Sequence, residues 1–226
     1  MSITSYNELQ AHLADTINRK DLSDAVTDFS PASLVSQIKR AVFSAEERIQ
    51  NDIISRGGIS YMETVDDSVN TVGGAEAVTM PTGFLGLVSM AITTNPYQLL
   101  QSLDRTALFT TYPSTTSAKP LAYAMIGSNT AYLRPIPDAA YDLRIIYFKS
   151  LDNLSASVST NWLLENGINA YVGAAMVELC LYIQDPGATE YWESYYGSAL
   201  ADMIRSSKVT RFGVVPTQAT VQVAIA

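Results

Sequence analysis

The chain has 226 residues, 47% of them hydrophobic, and a formal net charge of −8. That is enough chain for one domain, or for one compact unit carrying an inserted module, and the acidic balance leaves no basic nucleic-acid footprint over the chain as a whole. A single cysteine, Cys180, excludes an internal disulfide and a Cys-rich zinc site, and a single histidine, His12, removes most His-based metal sites.

No run reaches the roughly 18 apolar residues of a membrane span. The most apolar stretch, residues 168–183, contains Asn169 and Glu178 and reads as a buried helix. Met1-Ser2-Ile3-Thr4-Ser5 has no basic region followed by an apolar core. No secretory signal is expected, and the chain is expected in the cytoplasm where it is made.

Ser5-Tyr6-Asn7-Glu8 is a capping box, with Tyr6, Leu9, Leu13 and Ile17 following at helical spacing. Arg19-Lys20-Asp21 ends this helix, and a short turn runs through Val26. Ser30-Pro31 starts a longer helix, because proline at the first helical position loses no hydrogen bond. Its apolar stripe is Leu34, Ile38, Ala41, Val42, Ala45, Ile49 and Ile53. Lys39, Arg40, Glu46, Glu47 and Arg48 are expected mostly off it. Arg56-Gly57-Gly58 stops the helix at a glycine cap.

From Ile59 to about Asn153 the pattern changes to strands. Gly73-Gly74 reads as a hairpin turn, residues 84–93 as a strand ended by Asn95-Pro96, and residues 102–109 as a short helix. Strands follow at 120–126 and 132–134, separated by Gly127-Ser128-Asn129. After Pro135-Ile136-Pro137-Asp138, Tyr141, Leu143, Ile145 and Tyr147 face one way, with Asp142 and Arg144 opposite. Helices return at 161–165, are interrupted at Asn166-Gly167, and resume as a stripe of Ile168, Tyr171, Val172, Ala175, Leu179, Tyr182 and Ile183. Asp185-Pro186-Gly187 breaks that helix. A last one carries Trp192, Tyr195, Tyr196, Ala199, Leu200 and Met203 to about Ser207. Residues 213–226 are uncharged and read as an extended arm, with Val214, Val215, Val221, Val223 and Ile225 apolar.

The expected fold class is α+β. Residues 1–56 and 154–212 form a helical bundle, residues 57–153 an inserted antiparallel β module, and residues 213–226 the extended C-terminal arm.

Little catalytic equipment is present. There is no glycine-rich phosphate loop, no Gly-x-Ser-x-Gly and no His-Glu-x-x-His. Ser36-Gln37-Ile38-Lys39 matches Ser-x-x-Lys, but chance explains so short a pattern and Lys39 belongs to a solvated face. Asp66-Asp67 and Glu46-Glu47 are neighbours in sequence, so they do not share a face and make poor acid/base pairs. His12 flanks its helix stripe and is expected at the surface. Cys180 is expected as a small core residue. No catalytic, cofactor-binding or metal-binding residue is assigned, and no cofactor. Tyr191, Trp192, Tyr195 and Tyr196 cover a wide arc of the last helix. Core packing on two sides is the ordinary reading, and a subunit interface the functional one, because Tyr and Trp are enriched at interfaces.

The order of motifs carries a resemblance. Thr4-Ser5-Tyr6, Asn18-Arg19, Asp21-Leu22 and Ala45-Glu46-Glu47-Arg48-Ile49 come first. Met80-Pro81-Thr82-Gly83-Phe84-Leu85, Leu133-Arg134-Pro135-Ile136-Pro137-Asp138 and the run from Tyr141 to Lys149 follow. Thr160-Asn161-Trp162-Leu163-Leu164 and Tyr191-Trp192-Glu193-Ser194-Tyr195-Tyr196 close the series. Taken in order, these motifs resemble the head-to-tail adaptor (connector) proteins of podoviruses and related SU10-like tailed phages, over nearly the whole chain.

The resemblance implies a helical bundle with an inserted β module and no catalytic residues. It implies a structural virion protein in a dodecameric ring under the portal, extending the DNA channel and attaching the tail. The implied partners are other copies of the chain, the portal protein, and tail, nozzle or tail-fibre proteins. DNA is passing cargo only, and no membrane is involved. The implied location is the neck or tail of the virion, after assembly in the host bacterial cytoplasm. The alternative is another neck or tail part of different symmetry, such as a stopper, tail-completion or baseplate protein. The one departure is the long apolar character of residues 213–226. An uncharged, β-prone arm is an aggregation liability when free and an attachment device when paired to a neighbour or the portal. The expected interface residues are therefore Val214, Val215, Val221, Val223, Ile225, Tyr191, Trp192, Tyr195 and Tyr196.

Overall fold

The structure, a computed structural model, describes residues 3–18 and 34–212. The turn through Val26, the Ser30-Pro31 helix start and the arm of residues 213–226 lie outside the described residues. The helices are α1 (Tyr6–Thr16), α2 (Leu34–Ser55), α3 (Arg105–Thr111), α4 (Trp162–Asn166), α5 (Ile168–Tyr182) and α6 (Pro186–Phe212). The strands are β1 (Glu63–Asp66), β2 (Ala77–Thr79), β3 (Phe84–Ile92), β4 (Gln98–Leu99), β5 (Gln101–Ser102), β6 (Ala122–Met125), β7 (Thr130–Arg134) and β8 (Leu143–Lys149). They divide between two compact units. The described residues up to Tyr61 and from Leu151 make a helical unit, and Met62–Ser150 a β unit. The fold is α+β.

In the helical unit the caps fix the helix ends. The Glu8 N–H donates to Ser5 Oγ at 3.4 Å, while the Glu8 carboxylate accepts from the Thr4 N–H at 2.6 Å and the Thr4 hydroxyl at 2.9 Å. The box thus closes one residue further back than expected. Helix α2 ends where Gly57 and Gly58 turn to φ +93° and +75°. Their N–H groups donate to the carbonyls of Ile54 and Ile53, each at 3.0 Å. Asn161 caps α4, its Oδ1 accepting from the Leu164 N–H at 2.9 Å.

Helix α5 is buried on nearly every side. Residues 170–177, Leu179 and Cys180 are all enclosed, because α5 packs against α6 and α2 and also touches α1 and α4. The expected stripe is therefore too narrow, and its outlier Tyr182 is 49% exposed. At Gly173 the approach to α6 is so close that a Cβ would lie 3.0 Å from Tyr196 Cα. Helix α6 continues past the expected stop at Ser207. Ser207 is buried there, its Oγ accepting from the Ser60 N–H at 2.9 Å while its carbonyl accepts from the Ser60 hydroxyl at 3.1 Å.

The β unit holds two four-stranded sheets, ordered β1-β8-β3-β4 and β2-β7-β6-β5. Val78, Met90, Ile92, Tyr123, Leu133, Leu143, Ile145 and Tyr147 from both sheets share one core. Strand β8 alternates as its sequence requires, with Leu143, Ile145 and Tyr147 buried and Arg144 exposed. Residues 98–102 serve both sheets, since β4 pairs with β3 and β5 with β6. The β5–β6 pair is parallel, a departure from the all-antiparallel expectation. It arises because the connection between those strands contains α3, a crossover rather than a hairpin. Helix α3, capped by Asp104, buries Leu108 against Ala122 and Ala124. Gly73-Gly74 does form a turn, with Gly74 at φ +81°. It is not a hairpin, because β1 and β2 on either side of it belong to different sheets.

Ile145 is fully buried, whereas neighbouring Arg144 bonds Asp67 at 2.8 Å on an exposed surface. In urea titrations followed by circular dichroism, Ile145→Ala is expected to lose about 2–5 kcal/mol of stability, and Arg144→Ala to leave the unfolding midpoint close to that of the parent chain.

Candidate functional site

Glu46 is where the structure departs most from the sequence expectation. Expected mostly off the stripe, it is 1% exposed on α2. It stands four residues after Val42 and three before Ile49, both on the buried face of α2, so it lies on that face. Its Oε1 accepts from the Leu154 N–H at 2.8 Å, from Asn161 Nδ2 at 3.2 Å and from the Tyr171 hydroxyl. Its Oε2 is buried without a partner. Burial raises the Glu46 carboxyl above its ordinary range, against the lowering effect of those three donors. Burial and the adjacent Glu46 carboxylate likewise keep the Tyr171 phenol protonated. One turn along α2, Gln50 Oε1 accepts from the Leu151 N–H at 2.8 Å. Together Glu46 and Gln50 hold the chain where it returns from the β unit. This is structural chemistry, a carboxyl enclosed among donors of its own chain.

The aromatic residues of α6 divide into two sets. Tyr196 is buried, donates its hydroxyl to Asp52 at 2.5 Å and lies under the Arg48 guanidinium, 4.7 Å from the ring centre. Its place is in the core of this chain, because the close approach at Gly173 brings the helix backbone at Tyr196 against α5. Tyr191 is outward, 63% exposed, while Trp192 and Tyr195 are half-buried, Tyr195 with its ring edge against α5 at Gly173. Their rings meet edge to face, Tyr191 to Trp192 at 5.3 Å and Trp192 to Tyr195 at 5.4 Å. Val214, Val215, Val221, Val223 and Ile225 lie outside the described residues.

Two open grooves mark the helical unit. The first, of about 790 Å³, lies at the α5–α6 turn and is lined mainly by apolar surface from Val177, Cys180, Leu181 and Pro186. Arg48 and Glu193, paired at 2.5 Å, border it. The second, of about 680 Å³, is lined by Ile3, His12, Glu165, Asn169 and Tyr195 among others.

The residues weighed for chemistry sit apart. His12 and Lys39 are exposed and Cys180 is buried. Asp67 pairs with Arg144, while Asp66 accepts from the Ser68 N–H at 2.7 Å. Glu47 is exposed and Glu46 buried. Among the described residues no group of three or more His, Cys, Asp and Glu is placed to hold a metal. No described helix is long and apolar enough to cross a membrane.

A helical unit interrupted by a β unit, with a buried carboxyl engaged in holding its own chain, is an α+β build. Residues 4–221 match the family model described as SU10 adaptor protein, and the chain belongs to that family, a structural bacteriophage adaptor. No curated protein matches the chain.

Glu46 gives the stability a specific pH dependence. Its folded-state pKa is raised, so the native state holds a proton that the unfolded chain releases from about 4.5 upward. The contribution of Glu46 is thus full below that value and is lost as pH rises through the raised folded pKa. Glu46→Gln keeps an acceptor for Tyr171 without the ionisation. Relative to wild type, the variant is expected to gain stability between pH 4 and pH 8, measured as the difference in urea midpoints.

Proposed function

We propose that the chain forms a dodecameric ring beneath the portal of a tailed phage, continues the DNA channel and offers the platform to which tail, nozzle or tail-fibre proteins attach. Membership of the SU10 adaptor family over residues 4–221 carries this reading. The protein is then a neck component of the virion, assembled in the host bacterial cytoplasm and present at genome ejection, with no catalytic step and no cofactor of its own. DNA meets it only in passage. A net charge of −8 suits a channel wall along which a polyanion slides without adhering.

The contacts are assigned to two places. Tyr191, Trp192 and Tyr195 supply large, half-dehydrated ring surface of the kind that anchors subunit interfaces. Tyr196 supports them from the core side. Val214, Val215, Val221, Val223 and Ile225 supply the uncharged arm, docking on a neighbouring copy or the portal by added-strand recognition.

Electron cryo-microscopy of the intact particle tests the reading. The expected density is a dodecameric ring directly under the portal, and absence of this protein from the virion overturns it. A ring of another symmetry, or one away from the portal, assigns the chain to a stopper, tail-completion or baseplate role instead. Removing residues 214–226 is expected to leave the circular dichroism spectrum unchanged and to weaken docking to portal-bearing heads by about tenfold or more in co-sedimentation. Undiminished docking marks the arm as dispensable.

A further inference from the structure

The groove at the α5–α6 turn is apolar along Val177, Cys180, Leu181 and Pro186, and three carboxylates, Asp185, Glu190 and Glu193, share it with one guanidinium, Arg48. Arg48 pairs with Glu193. Asp185 accepts from the Ala188 N–H at 3.0 Å and so caps α6, which leaves its negative charge in place. Asp185 and Glu190 are both exposed, so the groove keeps a negative surplus beside an apolar floor. Leu181, 56% exposed, is part of that floor. The occupant that matches is a large apolar side chain with a cation beside it.

Helix α2 carries such a group on its solvent side. Phe43 is 47% exposed. Lys39 and Arg40 on the turn before it and Glu47 on the turn after it are exposed and share its face. Positive charge on α2 therefore exceeds negative around the ring. An aromatic ring beside an arginine is the composition enriched at the centre of subunit contacts. Phe43 cannot enter the groove of its own chain. Helix α2 is continuous from Leu34 to Ser55. Arg48, which borders the groove, leaves that helix roughly 140° around the axis from Phe43.

We propose that this groove receives the Phe43 face of α2 from a second copy of the chain, with Arg40 set toward Glu190, a contact that rests on the ring reading and locates the grip between neighbours. Knob and groove are different surfaces of one chain, so the contact is head-to-tail. Head-to-tail contacts generate rings when the rotation closes.

Cross-linking between marked copies tests the contact. In a Cys180→Ala background, copies carrying Glu47→Cys are mixed with copies carrying Ser194→Cys, assembled on portal-bearing heads and treated with a short bismaleimide. Both positions are exposed, Glu47 one turn from Phe43 and Ser194 in the groove lining. The expected product is a dimer joining the two kinds of copy. Phe43→Ala in the Glu47→Cys copies is expected to lower its initial rate of formation about tenfold. Glu190→Lys in the Ser194→Cys copies is expected to lower it severalfold, and Arg40→Glu in the Glu47→Cys copies to restore it. Phe43, Arg40 and Glu190 are exposed, so the circular dichroism spectrum of each variant is expected to stay that of the parent chain. A rate indifferent to Phe43→Ala overturns the proposal, and so does a Glu190→Lys loss that Arg40→Glu leaves unrestored. A dimer formed equally well by Glu47→Cys copies alone overturns it too, because it marks a symmetric contact. Imaging of the same heads counts the copies in the ring. A complete ring without the mixed dimer removes this contact and leaves the ring reading standing, while heads bearing no ring overturn both.

Discussion

The chain leaves the helical unit after Tyr61 and comes back at Leu151, so α4, α5 and α6 all depend on how the returning segment is held against α2. Two side chains one turn apart on α2 do this. Gln50 accepts from the Leu151 N–H and Glu46 from the Leu154 N–H, and Glu46 then gathers Asn161 and Tyr171 as well. Asn161 in turn caps α4. One acidic group thereby sets where α4 starts and which side of α5 faces α2. The loop-closure entropy of an insertion grows only slowly with its length. An inserted unit as large as Met62–Ser150 is therefore tolerated when its two ends are held at defined points.

Local chemistry was the part legible in sequence. Ser5 and Asn161 cap helices, Gly57 and Gly58 end one, and the alternation of β8 sorts buried from exposed residues without reference to anything distant. What failed depends on partners far along the chain. In sequence, Glu46 groups with the charged residues of α2 off the apolar stripe. Only the donors at Leu154, Asn161 and Tyr171 make its burial tolerable, and nothing near residue 46 announces them. Its position four residues after Val42 was the available signal. The Gly73-Gly74 turn was identified, but its sheet membership was not, because pairing is settled by β7 and β8 much later in the chain.

The α6 aromatics show the same division. A wide aromatic arc was readable, and so was the choice between core and interface. The structure grades them, burying Tyr196 with Asp52 and Arg48, half-burying Trp192 and Tyr195 and leaving Tyr191 outward. Sequence spacing cannot make that gradation, since it depends on how closely α5 approaches Tyr195 and Tyr196 at Gly173. Membership of the SU10 adaptor family fits this economy of chemistry. The polar groups that the interior holds serve to position the chain, and the distinctive features lie in grooves and rings at the surface.

The hydrogen bonds between Ser60 and Ser207 carry a mechanical implication. Ser207 lies in the last turns of α6, close to the point where residues 213–226 begin, and Ser60 lies two residues before the β unit starts. Tyr61 adds a second tie, its hydroxyl 3.3 Å from Ser206 Oγ. A pull that frays the last turns of α6 therefore loosens the stretch by which the chain leaves the helical unit before it disturbs the α5–α6 turn at the far end of the helix.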